Sequence, residues 1–204
     1  MDVHPQHSIS VVYIATMPYI MEFYVDGACR GNGRPGSTGA AAACLMKPRG
    51  GYNSWTELLP LYEEGYVCTN QRAELHAIIM ALEWALDKDK DLFTRPYLII
   101  NIHSDSRYAI TCMSDWIHQW RRSGWSTVNG DPVKNQDLIR KAGHLEDQLA
   151  KLGELNYIWA PREKNYLPDR HCNEALDAAA VVPVVPYYQM MNDILSAQLS
   201  NLTI

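Results

Sequence analysis

Alternating hydrophobic and polar positions predict a strand close to the start of the chain. Residues 20–27 read IMEFYVDG, and Met21, Phe23 and Val25 fall on one face of the predicted strand. Asp26 falls on the opposite face of a segment that otherwise has the character of a core strand. A buried carboxylate is costly unless it is paired, protonated or bound to a metal, so Asp26 needs an explanation from elsewhere in the chain.

Two further strands are predicted at residues 39–46 and 52–61. A loop at 27–39 that contains five glycines separates the first two, and a KPRGG turn separates the second from the third. Strands joined in this way form an antiparallel meander.

Strands and helices alternate after residue 68. The predicted segments are a helix at 69–88 capped by Thr69 or Asn70, a strand at 97–105, a short helix from about 106 to 113, the segment DWIHQWRRSGW at 115–125, a helix through 138–152 closed by Gly153 as the C′ residue, a strand at 155–161 and a helix from about Pro168. A meander followed by such alternation predicts an α/β fold, with a five-stranded mixed sheet and helices on both faces.

The two ends of the chain do not continue this pattern. Residues 1–19 are predicted to be a loosely ordered arm, and residues 181–204 a tail with two prolines followed by a short amphipathic helix. One domain at residues 20–180 is therefore expected between them.

Charge, cysteine content and hydropathy limit the class of protein and the compartment that can be expected. The net charge of −5 over 204 residues excludes a generally basic nucleic-acid binder, so any such binding needs a local patch. Five scattered cysteines without a CxxC motif argue against a disulfide framework and favour a reducing compartment. The start of the chain lacks signal-peptide character, and no apolar run reaches the roughly 18 residues of a membrane span. We expect an intracellular protein, cytoplasmic or nuclear, that does not contact membranes.

Four acidic residues occupy unusual positions on four different elements: Asp26, Glu74, Asp105 and Asp169. Each alone has an ordinary interpretation as a turn residue, a cap or a partner of a helix N-terminus. If the sheet brings them together, they cannot all be ionised without cations, because like charges raise one another's pKa. Oxygen ligands favour Mg²⁺ or Mn²⁺, and two such ions suit phosphoryl displacement.

Five motifs in order resemble those of the type 1 ribonuclease H family, and together they cover about residues 20–180. They are YVDGACRGNG, TNQRAELHAIIMALE, IHSDSRYAI, WIHQWRRSGW with PVKNQDLI, and WAPREKNYLPDRHCNEALDAA. The resemblance implies a ribonuclease H-like fold, and hydrolysis of the RNA strand of RNA–DNA hybrids to give 5′-phosphate and 3′-hydroxyl ends.

The resemblance also implies the metal ligands. Asp26 would bridge two Mg²⁺ ions, for which Mn²⁺ can substitute. Asp169 would complete the metal that activates the attacking water, and Glu74 with Asp105 would hold the metal on the leaving-group side.

Two features of the closing segment leave alternatives open. Both Asn165 and Asn173 precede an aspartate by four places, so Asp177 competes with Asp169 for the fourth position; the loop directly after the fifth strand favours Asp169. Many family members carry a mobile histidine in this loop, whereas PREKNYL has none. His171 lies beyond Asp169, and Glu163 or a metal-bound water is an alternative for the histidine's role.

Substrate contacts follow from the resemblance as well. The backbone at Cys29 and the amides of Asn32, Asn70 and Gln71 are expected to meet the RNA strand. The DNA strand is expected to lie on Trp116, Trp120, Arg121, Arg122, Trp125 and Lys134. The alternative interpretation is turn and capping chemistry for the amides. For residues 115–125, which we call the protrusion, it is a tryptophan-rich packing helix with solvated arginines.

The sequence therefore predicts a monomeric, Mg²⁺-dependent endoribonuclease. Two rival functions are a nuclease or resolvase of the same fold that acts on DNA, and a catalytically weak or inactive hybrid-binding protein.

Overall fold

The computed structural model describes residues 17–59 and 67–181. The strands are β1 Tyr19–Arg30, β2 Thr38–Met46, β3 Tyr52–Leu58, β4 Leu98–Ser104 and β5 Gly153–Trp159. The helices are α1 Asn70–Asp91, α2 Arg107–Thr111, α3 Ile117–Arg122, α4 Gln136–Leu149 and α5 Tyr166–Val181. A π-helical turn at Cys112–Trp116 joins α2 to α3, and a 3₁₀ turn at Arg162–Lys164 precedes α5.

The five strands form one mixed sheet in the order β3-β2-β1-β4-β5. The pairs β1·β2 and β2·β3 are antiparallel, whereas β1·β4 and β4·β5 are parallel. The predicted fold class, including the meander, is confirmed. β1 is the central strand, so its carboxyl-terminal half lies beside the ends of its neighbours.

Helices cover both faces of the sheet, as predicted. The larger core lies on the α1 side, where Phe23, Val25, Ile78, Leu82 and Ile100 are completely buried. The smaller core lies under α5, where Cys172 and Leu176 pack on alanines of β2. This second helix layer carries the closing segment of the sequence back to the middle of β1.

α1 begins as the sequence predicts. Thr69 is the N-cap residue, and its Oγ1 accepts a hydrogen bond from the Arg72 backbone nitrogen at 3.2 Å. The Arg72 guanidinium then forms a two-pronged ion pair with Asp137 of α4, at 3.0 and 2.7 Å. The start of α1 is therefore fixed both by its cap and by the neighbouring helix.

The prediction for Gly153 is wrong. α4 ends at Leu149, and Gly153 is the first residue of β5, without the positive φ of a C′ glycine. A Cβ at this position would stand 1.9 Å from the Leu98 carbonyl oxygen. Glycine is needed here because β5 passes very close to β4, not because a helix ends.

Some predicted segments extend past the described residues. β1 begins at Tyr19, the last residue of the predicted arm, and the remainder of the arm falls almost entirely in residues 1–16, outside the described range. The end of the predicted third strand and the tail beyond Val181 are also outside it. Within residues 17–59 and 67–181, no helix combines the length and the apolar character that crossing a bilayer requires.

Candidate active site

The site begins at Asp26 on the central strand. Its side chain is nearly enclosed, with 8% of the residue exposed, and its backbone pairs with Ala42 of β2. The next residue, Gly27, lets α1 cross directly over β1, because a Cβ there would lie 2.1 Å from the Ala73 carbonyl carbon and 2.2 Å from the Glu74 nitrogen. The absence of a side chain at Gly27 thus places Glu74 beside Asp26.

Asp26 holds its proton unusually strongly. Burial, followed by the nearby charge of Asp105, raises its pKa to about 8, and the charges of Asp169 and Glu74 act in the same direction. A hydrogen bond from the Gly27 backbone opposes this effect but does not cancel it. All three other predicted acids are therefore close enough to Asp26 to influence its ionisation.

Glu74 is oriented by a serine on the neighbouring element. Ser106 Oγ donates a hydrogen bond to Glu74 Oε2 at 2.5 Å, and the same Oγ caps α2 by accepting from the Ala109 nitrogen at 3.1 Å. Burial raises the pKa of Glu74, the Ser106 bond lowers it, and Asp105 raises it again. Glu74 is the fifth residue of α1, in the second turn instead of the predicted first turn, so its orientation comes from Ser106 and not from the helix terminus.

Asp105 directly follows β4 and is fixed from two sides. The fully buried Asn165 donates from Nδ2 to Asp105 Oδ1 at 3.3 Å and to the Val25 carbonyl at 2.9 Å. The Trp159 indole nitrogen donates to the Asp105 backbone carbonyl at 3.1 Å. Asn165 therefore links the closing loop to both β1 and the carboxylate of Asp105.

Asp169 lies in the first turn of α5, as predicted. Arg162 Nη2 donates to Asp169 Oδ1 at 3.0 Å, and Asn173 donates to the Asp169 backbone carbonyl at 2.9 Å. The competing Asp177 lies two turns further along α5 and pairs with Arg30, with 71% of its side chain exposed. Asp169 thus lies at the cavity and Asp177 forms a surface pair, and the choice of Asp169 as the fourth acid stays a prediction.

The four acids line one open cavity at the carboxyl-terminal part of β1. Its lining consists of Asp26, Gly27, Ala28, Cys29, Arg30, Asn70, Glu74, Asp105, Ser106, Arg162, Asp169, Asn173 and Leu176. Within the described residues, no three Asp, Glu, His or Cys side chains stand in a ready-made metal-ligand cluster. The donor set of the four acids is nevertheless all oxygen, and burial with the neighbouring carboxylates raises the pKa of Asp26, so a cation there would be stabilised. These properties fit hard divalent cations.

The residues predicted to meet the RNA strand flank this cavity. Cys29 and Asn70 line it directly, and Asn32 accepts a hydrogen bond from the Asn70 backbone nitrogen at 3.0 Å through Oδ1. Gln71 lines an adjoining cavity together with Lys134, which was predicted to meet the DNA strand. Capping and substrate contact are compatible for the Asn32–Asn70 pair, because the Asn70 side chain remains exposed.

The protrusion divides its predicted DNA-contacting residues into two groups. Trp116 and Trp120 form a tilted aromatic pair, with ring centroids 5.6 Å apart, that lines a shallow surface cavity, and Arg122 is exposed. Arg121 instead binds Asp147 and the Gly143 carbonyl of α4, each at 2.8 Å. Trp125 is half-buried, and the Arg140 guanidinium carbon lies 4.5 Å from the centroid of the Trp125 ring. Arg121 and Trp125 thus attach the protrusion to α4, and Arg121 is not the solvated side chain of the alternative interpretation.

The loop without a histidine places an arginine at the cavity. His171 contacts Tyr52 at 3.3 Å and Glu174 at 3.6 Å, and it is not part of the cavity lining. Glu163 is exposed and does not line the cavity either. Arg162 and Asn165 are the side chains of this loop that reach the acids, Arg162 at Asp169 and Asn165 at Asp105.

The sequence alone did not indicate that Gly27, Ser106, Asn165 or Arg162 position the acids, although Ser106 could be expected near a helix cap. Two signals were available: Gly27 and Ser106 each immediately follow a predicted acid, and Asn165 was used only to choose the register. Their partners lie on distant elements, so the contacts become visible only when the sheet order is known.

Comparison with known proteins agrees with this geometry. The family model described as RNase H matches residues 18–180. A ribonuclease H of Enterobacter sp. (strain 638) is 33% identical over 165 residues, which span 80% of this chain and 91% of that protein. A ribonuclease H of Salmonella arizonae is 32% identical over 164 residues, which span 80% of this chain and 90% of that protein.

Solved structures resemble the chain as well. The crystal structure of RNase H1 from the halophilic archaeon Halobacterium salinarum NRC-1 matches with a TM-score of 0.52 and 27% identity, covering 78% of this chain and 99% of that one. The foamy viral protease-reverse transcriptase in complex with an RNA/DNA hybrid matches with a TM-score of 0.60 and 15% identity, covering 85% of this chain and 22% of that one, a likeness of fold alone.

Proposed function

The chain belongs to the ribonuclease H family, and we propose that it cleaves the RNA strand of RNA–DNA hybrids by a two-metal-ion mechanism that leaves 5′-phosphate and 3′-hydroxyl ends. It is a ribonuclease H hydrolase by family membership. The observation that carries the mechanistic proposal is the convergence of Asp26, Glu74, Asp105 and Asp169, from four separate elements, on one open cavity.

These four carboxylates would hold the divalent ions, with Asp26 at the centre because the other three all act on its ionisation. Bound Mg²⁺ or Mn²⁺ would supply a nucleophilic water and stabilise the charge on the leaving oxygen. The chain's own contribution is to orient the ligands before the substrate arrives. Ser106 holds Glu74, and Asn165 holds Asp105 against the backbone of β1.

The surface beside the cavity suits a hybrid. Distinguishing RNA from DNA requires contact with 2′-hydroxyl groups, which both donate and accept hydrogen bonds. The exposed amides of Asn70 and Gln71 offer both donors and acceptors at the start of α1. On the other strand, Arg122 and Lys134 would supply phosphate contacts, and the Trp116–Trp120 pair would supply an aromatic surface. We expect the protein to act as a monomer.

A substrate comparison tests the proposal. Labelled RNA–DNA hybrid, duplex DNA and duplex RNA of one sequence should be incubated with the full chain in Mg²⁺. We expect cleavage of the hybrid in its RNA strand alone, with 5′-phosphate and 3′-hydroxyl products. Preferential cleavage of duplex DNA would favour a DNA-acting nuclease of this fold. Tight hybrid binding without cleavage would identify a hybrid-binding protein instead.

A further inference from the structure

Two cysteines from different parts of the chain meet at the edge of the cavity. Cys29 lies on β1, where its register partner on β2 is Gly39. Cys68 immediately precedes the N-cap of α1, and a Cβ added to Gly39 would stand only 2.3 Å from the Cys68 Sγ. The Cys68 sulfur therefore occupies the space that a side chain opposite Cys29 would fill.

This placement brings the two thiols within reach of each other. Directly opposed residues of an antiparallel pair have Cβ atoms about 4.5–5.5 Å apart. Since the Cys68 Sγ stands 2.3 Å from the position of the missing Cβ, it lies beside the Cys29 side chain. Burial, followed by the neighbouring Cys29 thiol, raises the pKa of Cys68 to about 12. Both cysteines are reduced in the structure and both are partly exposed.

Cys29 and Cys68 lie between the loop after β1 and the start of α1, two segments that are proposed to contact the substrate. Cys29 lines the cavity, while the Cys68 carbonyl accepts from the Gly33 nitrogen at 2.8 Å and from Ser37 Oγ at 3.1 Å. Cys68 therefore connects the glycine-containing loop after β1 to the start of α1. A covalent bond here would fix the two segments that carry Cys29, Asn32 and Asn70.

We propose that Cys29 and Cys68 form a reversible disulfide when the protein meets a peroxide, and that this bond reduces hybrid binding. The Cys29 sulfur attacks one peroxide oxygen, the O–O bond breaks, and Cys29 becomes a sulfenic acid while one water leaves. The Cys68 sulfur then attacks the Cys29 sulfur, the S–O bond breaks, and a second water leaves. Two electrons pass from the two thiols to one peroxide, and a dithiol reductant reverses the reaction.

Transient, redox-sensing disulfides are the kind that occur in reducing compartments, so the proposal agrees with the cysteine pattern of the sequence. The effect on binding rests on the proposed function, whereas formation of the bond does not. The remaining cysteines, Cys44, Cys112 and Cys172, are completely buried and serve as an internal control for selectivity.

The test treats the full chain with a small excess of hydrogen peroxide, quenches it with an alkylating reagent and maps its peptides by mass spectrometry. We expect a cross-linked peptide that joins Cys29 to Cys68, lighter by two hydrogens and separable by dithiothreitol, with the three buried cysteines unmodified. Absence of this peptide, with Cys29 and Cys68 recovered as thiols or as separately oxidised residues, would overturn the proposal.

Cysteine variants test whether the Cys29–Cys68 disulfide controls hybrid binding. Cys68→Ala should retain the hybrid binding of the reduced protein, and after peroxide it should give a Cys29 sulfenic acid that dimedone traps. Cys44→Ala is the matched control and should still form the cross-link. Hybrid binding, measured in Ca²⁺, should fall on oxidation of the unmodified protein and return with reductant. If Cys68→Ala loses hybrid binding on oxidation equally and reversibly, the effect belongs to Cys29 alone, and the proposal that the disulfide regulates binding is overturned. An oxidised unmodified protein that binds hybrid unchanged would overturn that part of the proposal as well. A reduced protein that binds no hybrid at all would contradict the proposed function while leaving the cross-link result intact.

Discussion

Arg162 and Asp169 form an ion pair across the mouth of the acidic cavity, with Arg162 Nη2 3.0 Å from Asp169 Oδ1. The arginine comes from the loop between β5 and α5 and is largely exposed, with 77% of its side chain accessible. It therefore places a positive charge on one of the four proposed ligands. A divalent ion that binds Asp169 through this oxygen must displace the guanidinium.

Arg162→Ala should tighten divalent-ion binding. Because an exposed ion pair is worth about 0.2–1 kcal/mol, the dissociation constant for Mn²⁺ should fall by no more than about fivefold. Calorimetric titration of the substrate-free protein measures this directly. Lys164→Ala is the matched control, since it removes a positive charge from the same turn without removing a partner of Asp169. Identical affinities in the two variants would show that the pair does not compete with the metal.

The register of the fourth acid can be tested with two conservative variants. Asp169→Asn should abolish nearly all cleavage, because it removes an oxygen ligand from the cavity. Asp177→Asn should retain activity, because Asp177 forms a surface pair with Arg30. Initial rates on labelled hybrid distinguish them. The reverse order of activity would assign the fourth position to Asp177.

The two neighbouring arginines of the protrusion should have different effects. Arg122→Ala should weaken hybrid binding in Ca²⁺ and make the log–log salt dependence shallower by about 0.9 for one lost phosphate contact. Arg121→Ala should instead lower the free energy of unfolding by about 1–2 kcal/mol, because it removes hydrogen bonds to Asp147 and to the Gly143 carbonyl. Salt-series binding and urea denaturation of both variants test this division. A binding and slope defect confined to Arg121→Ala would contradict it.

The pH dependence of stability reports on Asp26. Its folded-state pKa of about 8 lies above the ordinary value of 3.8, so between these values the folded state binds more protons than the unfolded state. Without metal, stability should therefore be greatest at low pH within this window and should be lost as the pH rises through about 8. The slope from this one group reaches at most about 1.4 kcal/mol per pH unit.

Asp26→Asn removes this contribution, so its stability relative to the unmodified protein should increase from pH 5 to pH 8. Chemical denaturation in EDTA at several pH values makes the comparison. Parallel curves for the two proteins would mean that Asp26 titrates normally in the fold.

Much of this site could be predicted from the sequence, because its signals are local. The alternation of hydrophobic and polar residues placed Asp26 on the face of β1 opposite Phe23 and Val25. The end of a buried strand placed Asp105 at the carboxyl end of β4. The helix stripe and cap located α1, and with it Glu74. These positions depend on residues a few places apart, which periodicity detects.

The orienting contacts could not be predicted, because they join residues far apart in the chain. Asn165 reaches the Val25 carbonyl across 140 positions, and Ser106 reaches Glu74 across 32. Gly153 shows the opposite problem: a glycine after a helix is typical of a C′ residue, yet here the close approach of β5 to β4 determines it. Arg121 likewise resembles a solvated phosphate ligand until α4 is placed beside it.

The most direct measurement is cleavage of a labelled RNA–DNA hybrid by the unmodified chain and by Asp26→Asn, each with Mg²⁺ and with EDTA. We expect RNA-strand cleavage by the unmodified chain in Mg²⁺ alone. Asp26→Asn should lose nearly all cleavage, while it keeps its fold and its hybrid binding and is at least as stable thermally without metal. Substantial Mg²⁺-dependent cleavage by Asp26→Asn, or undiminished cleavage by the unmodified chain in EDTA, would contradict the proposed two-metal site.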